Sequence, residues 1–193
     1  MLLHQGSFYP ATGPALTMLA RLITQDALTA GRRRDVYITL LSAADQYGFD
    51  IILDADLAAA LGRPPQPGPW TADVRDTVGA VVPGLLRRWA VEPPANQLAL
   101  AALAAAFPDH GQALHGLIAE LAAGQAGTQA GAYGNLALLL LACDAGGALD
   151  AAREITAWND ELPEFDIDDQ LAEPGLRALH VLADAVCATV GAC

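Results

Sequence analysis

The chain contains no lysine. Its ten basic side chains are all arginine, set against 22 aspartates and glutamates, for a formal net charge of −12. A surface this acidic repels phosphate backbones, so a nucleic-acid partner is not expected. Aromatic residues make up 6% of the chain and charged residues 17%. Cysteine is nearly absent: Cys143, Cys187 and Cys193 are odd in number and lack metal-ligand spacing. That excludes a disulfide framework or a zinc ribbon and fits reduced thiols in a cytoplasmic protein. No basic stretch follows Met1, so a secretory signal is not expected. The longest uncharged stretch, 121–143, holds Gln125, Thr128, Gln129, Asn135 and several glycines. These disqualify it as a membrane span. No strand-like alternation of apolar and polar residues interrupts the chain.

What is present is a rhythm. Helix-length apolar segments recur roughly every 20 residues from Ala11 onward, punctuated by glycine and proline. First comes a helix over about 13–24, with Thr12 as cap. A second runs over 33–47 and is ended by Gly48, and a short helix follows over 51–61. The prolines of 63–70 form an internal loop. A long helix over 71–90 carries Pro83. Further helices are expected at 95–106, 110–122, 129–143, 148–160 and 175–190. The all-round apolar Leu138–Leu141 stretch predicts a central position for its helix. An acidic loop spans 162–173. With 53% hydrophobic residues, the whole of 1–193 is expected to be one all-α domain.

Two segments carry a resemblance. His4-Gln5-Gly6-Ser7-Phe8-Tyr9-Pro10-Ala11-Thr12 resembles a segment of bacterial HEAT-repeat proteins common in actinobacteria. The stretch from Trp70 through Arg75 and Gly84 to Ala106-Phe107-Pro108 is similar to a later repeat pair of that group. The resemblance implies a HEAT-like, armadillo-like α-solenoid of about four antiparallel helix pairs. Second helices at 33–47, 95–106, 129–143 and 175–190 would line a concave face. The chain departs from the pattern at Pro94-Ala95-Asn96-Gln97 and Thr128-Gln129-Ala130-Gly131, where a Val-Arg pair is usual. The family also places a repeat before the opening segment, so self-association through the N-terminal end is expected here.

The candidate binding residues follow from this layout. His4, Gln5 and Tyr9 are the polar members of the opening segment. Arg33 and Arg34 belong to the one basic triplet and suit bidentate capture of a carboxylate or phosphate. Tyr37, Tyr133, Asn135 and His180 fall on second helices, together with Asp45 and Asp184, and would meet in the groove. Trp158 stands at a helix end as an anchor. Cys143, behind three leucines, reads as a buried, inert thiol. Glu164, Asp166, Asp168 and Asp169 lack the calcium-loop pattern, so no metal or cofactor is expected. These observations describe a scaffold or adaptor, of which an immunity-type protein is one form, binding a basic protein partner through an acidic or concave surface. The alternative is a small-molecule-binding enzyme or accessory protein with its ligand in the groove. No catalytic motif favours an enzyme.

Overall fold

The computed structural model describes residues 8–159 and 173–190; the acidic stretch 162–173 expected to be a loop lies almost wholly outside them, as do His4 and Gln5. Every regular element among the described residues is helical. In chain order these are α1 (Thr12–Thr24), α2 (Ala30–Ala60), α3 (Thr71–Leu86), α4 (Pro94–Ala106), the single turn α5 (Pro108–Gly111), α6 (His115–Gly124), α7 (Gln129–Leu141), α8 (Ala145–Trp158) and α9 (Pro174–Val190). None is long and apolar enough to cross a membrane.

Local chemistry sets most boundaries. Thr29, Thr128 and Asp144 accept hydrogen bonds from backbone N–H groups in the first turns of α2, α7 and α8, filling donors that the helix leaves unpaired. Pro94 and Pro174 open α4 and α9, where a missing N–H costs nothing. The proline-rich segment lies between α2 and α3 without helix. Asp54 and Asp50 tie it to α2 by accepting from the backbone N–H groups of Gln66 and Gly68. Thr71 does not cap α3; its hydroxyl donates to Asp50 at 2.8 Å. α3 runs through Pro83, ends at Leu86 and passes into a 3-10 turn at Trp89–Val91, whose Trp89 is buried.

One expectation is corrected within these elements. Gly48 does not end a helix: the segments 33–47 and 51–61 are one 31-residue helix. A β-carbon at Gly48 would sit 3.3 Å from the Leu176 side chain of α9, so glycine here admits a crossing helix. α7 is central as expected, packed between α4, α6, α8 and α9, and α4 is buried more deeply still. Ten of its thirteen residues are buried, whereas Leu138, Leu139 and Leu140 of α7 are only partly so. Alanine allows α4 to be approached closely from several sides.

α2, α4 and α7 run parallel. Arg75 spans Ala44 and Ala106 at one end of the α2–α4 pair, and Asn96 reaches the Ala30 carbonyl at the other. α9 runs the opposite way. Its Leu176, His180 and Cys187 face Gly48, Asp45 and Ser42 of α2 in that order. It packs on α2, α4 and α7 together. The last helix therefore does not extend the row of second helices as a fourth parallel member. It lies across the row and covers it. The N-termini of α8 and α9 adjoin through Ala145 and Gly175, so these two helices are parallel and not an antiparallel pair.

Candidate functional site

The arginine triplet divides into three different environments. Arg33 turns inward from the first turn of α2 and grips Glu92 with two bonds, Nε to Oε1 at 2.7 Å and Nη2 to Oε2 at 3.0 Å. Glu92 also accepts from Arg88 Nε (3.1 Å), the Tyr37 hydroxyl (3.0 Å) and Asn96 Nδ2 (2.7 Å). Its side chain is 0% exposed. Burial opposes its charge, but the bonds from Arg33, Asn96, Arg88 and Tyr37 outweigh that and hold the carboxyl below its ordinary range. Burial, together with Glu92, pushes the Tyr37 phenol well above its usual value. This cluster is a closed lock that joins α2 to α4. Arg33 and Tyr37, expected to face a ligand, are consumed by it. Arg32 is exposed beside Asp35.

Arg34 differs. It lines a cleft of about 230 Å³ where the N-termini of α2, α4 and α7 meet the C-termini of α6 and α9. Pro94, Ala95, Leu98, Leu121 and Ala130 supply hydrocarbon walls, and Gln125 and Thr189 add an amide and a hydroxyl. Arg34 Nε is buried and has no hydrogen-bond partner. A guanidinium N–H in that position is a donor waiting for an acceptor.

At the middle of α2, Asp45 and His180 meet across the seam with α9. His180 Nδ1 lies 2.6 Å from Asp45 Oδ2, and its Nε2 lies 3.5 Å from Asp184 Oδ2, one helical turn along. The Phe49 ring covers the imidazole at 4.9 Å between centroids. Burial disfavours the imidazolium, yet the Asp45 and Asp184 carboxylates prevail and raise the His180 pKa. Burial and Asp45 raise Asp184 against the pull of His180. Of the six groove residues expected to converge, these three do.

The other candidates stand apart. Tyr9 is exposed, and its backbone N–H and C=O engage Thr12. Tyr133 is fully buried, receives the Asn159 amide at 3.2 Å and stacks on Trp158 at 6.1 Å. Asn135 and Trp158 line a separate open cleft beside α7. Cys143 is exposed, in a left-handed conformation (φ 55°) beyond α7, and is not the buried thiol expected. The turn that ends the helix rotates it out of the leucine run. Glu92 was missed because an acid after a helix end reads as surface; its two prolines and following Asn96 gave no sign of burial.

No protein-family model, curated protein or solved structure matches the chain.

Proposed function

We propose that the protein is a binding protein that holds a small carboxylate-bearing ligand on Arg34. The observation that carries this reading is the buried, unpartnered Nε of Arg34 inside a mostly apolar cleft. An arginine fork matches a carboxylate with two parallel bonds, and low surrounding polarity strengthens them. Gln125 and Thr189 are placed to meet a second polar group of the ligand, while Leu98 and Leu121 suit a short hydrocarbon body. A cation, an amide, a hydroxyl and hydrocarbon bind and orient an anion; this favours an accessory binding role in the cytoplasm over catalysis. The scaffold is read as a tightly curled HEAT-like stack, with three parallel second helices and the resemblance at its start in support. The ligand lies at the stack's end and not in a concave groove, because α9 covers that face.

The test is thermal denaturation with benzoate, hexanoate, adipate and inorganic phosphate in turn. A carboxylate that binds raises the midpoint in proportion to RT ln(1 + [L]/Kd), and Arg34→Met abolishes the shift. If none of the four moves the wild-type midpoint, or Arg34→Met responds equally, the reading is wrong.

A protein-docking role has separate support. Leu53 and Leu57 on one face of α2, and Leu61 at its C-cap, stand 64%, 56% and 63% exposed at four-residue spacing. Such a stripe, on a chain of net charge −12, suits a basic amphipathic partner. Replacing all three with serine would weaken capture of that partner and leave carboxylate binding intact.

A further inference from the structure

We propose that the cleft between α7 and the end of α8 is a binding site for a neutral saccharide, with Trp158 as its stacking platform. The cleft holds about 420 Å³, within the range of small-molecule sites and larger than the one at Arg34. Its lining is one indole, the amides of Gln129 and Asn135, one threonine, and otherwise only glycine and alanine.

Trp158 is 44% exposed, although tryptophan on average hides most of its surface. It is nevertheless held in place. One face stacks on Tyr133, with ring centroids 6.1 Å apart and planes 14° from parallel. Tyr133 is itself fully buried, and its hydroxyl receives the amide of Asn159, the residue after Trp158, at 3.2 Å. The stack backs the indole on one side and leaves its other face to the cleft. An aromatic face carries the negative part of the ring quadrupole. The flat C–H side of a pyranose ring is its complement, and a platform fixed in advance loses little freedom on binding.

The amides supply the polar half of the site. Gln129 and Asn135 lie on α7 and are both exposed. Among the described residues neither side chain has a hydrogen-bond partner. Each amide offers a donor and an acceptor, as a sugar hydroxyl does in return. Thr128 is committed elsewhere: its hydroxyl donates to the Gln125 carbonyl at 2.7 Å and accepts from the Gly131 N–H at 3.3 Å, which braces the start of α7. None of the described residues that line the cleft is ionisable. A nucleotide would meet no cation there and would face the field of a chain of net charge −12. Proline-rich segments dock in aromatic-lined grooves, and among the described residues only Trp158 lines this cleft with a ring. A neutral, hydroxyl-rich ring matches what is present.

The experiment titrates full-length protein with methyl α-glucoside, N-acetylglucosamine, maltotriose, cellotriose and chitotriose in turn, followed by tryptophan emission and calorimetry. A Trp70→Phe background removes the other exposed indole. Expected are a blue-shifted emission and one site per chain, tighter than about 1 mM, for at least one of the five. By calorimetry Trp158→Ala should lose at least about tenfold in affinity with its helical circular dichroism unchanged, and Trp158→Tyr should keep part of it. Gln129→Ala and Asn135→Ala should each weaken binding without disturbing the Tyr133 stack. Arg34→Met should bind the saccharide as the parent does, which separates this site from the carboxylate cleft. The proposal is overturned if no saccharide binds tighter than about 1 mM, or if Trp158→Ala and Asn135→Ala bind as the parent does. It is equally overturned if decaproline or adenosine monophosphate, and none of the saccharides, gives the Trp158-dependent response.

Discussion

Replacing Glu92 with glutamine tests the lock between α2 and α4 most directly. The substitution keeps the shape and removes one charge. It leaves Arg33 and Arg88, 12% and 13% exposed, without the carboxylate they share. It also turns an amide N–H₂ toward donors from Arg33 or Asn96. Removing one member of a buried ion pair costs about 3–5 kcal/mol. Arg88 retains Asp26 at 2.5 Å, and the Tyr37 hydroxyl can still donate to the amide oxygen, so the lower end, about 3 kcal/mol, is expected. For a chain of this size that lowers the thermal midpoint by about 6–12 °C. Urea denaturation would show a lower midpoint with an unchanged slope. The pH dependence adds a second readout. The folded carboxyl of Glu92 titrates below its unfolded value, so its contribution is full above the ordinary glutamate range and is lost as pH falls through the folded value. The deficit of Glu92→Gln relative to the parent should therefore narrow in acid. A loss under about 1 kcal/mol, or a deficit constant from neutral pH down to about pH 3, would refute the claim that four donors hold a buried charge here.

Two further perturbations probe different parts of the fold. Asp54 is held at about 2 by the Arg63 guanidinium and by the Gln66 N–H, against an ordinary 3.8. Its side-chain carbon signal should still report the ionised form at about pH 3, and its titration should move toward the usual aspartate range in Arg63→Ala, where the Gln66 N–H still holds it; whatever it contributes to holding the proline-rich loop is complete above the ordinary value and fades as pH falls toward 2. Gly131→Ala and Gly116→Ala should differ in sign: a β-carbon at Gly131 would meet the Gln125 backbone carbonyl, whereas Gly116 faces open space. The first should lose about 1–3 kcal/mol by overpacking and the second gain about 0.5–1 kcal/mol in urea denaturation, and equal effects would contradict the close approach of α6 and α7.

The helical class and most element positions are readable in the chain because apolar spacing and the prolines at 83, 94, 108 and 174 act locally. The direction of α9 is not readable. Leu179, Leu182 and Val186 form a buried stripe whichever way the helix points, since an apolar stripe selects a face and not a polarity. Gly48 shows the same limit. Its intrinsic helix penalty is about 1 kcal/mol, and contact with Leu176 overrides it in the folded chain. Asp45, His180 and Asp184 were identifiable as residues on second helices. Their meeting depends on the reversed course of α9, which places His180 opposite Asp45 and not at the far end of the row.

The scarcity of cations gives the argument for Arg34 its force. In an acidic chain an arginine has many carboxylates to choose from, and the described residues show how completely several are matched. Arg33 and Arg88 surround Glu92, and Arg63 binds Asp54 with both terminal nitrogens. Arg75, though without a carboxylate, is satisfied by two carbonyls and two aromatic rings. Arg34 stands immediately beside Arg33, yet its Nε is removed from water and meets no acceptor. If solvation were its role, the side chain would extend outward as Arg32 does, and Nε would be wet. If packing alone were its role, an aliphatic residue would fill the cleft wall without stranding a donor. An acceptor supplied from outside the chain resolves both objections, and the cleft around Arg34 has room for the molecule that carries it.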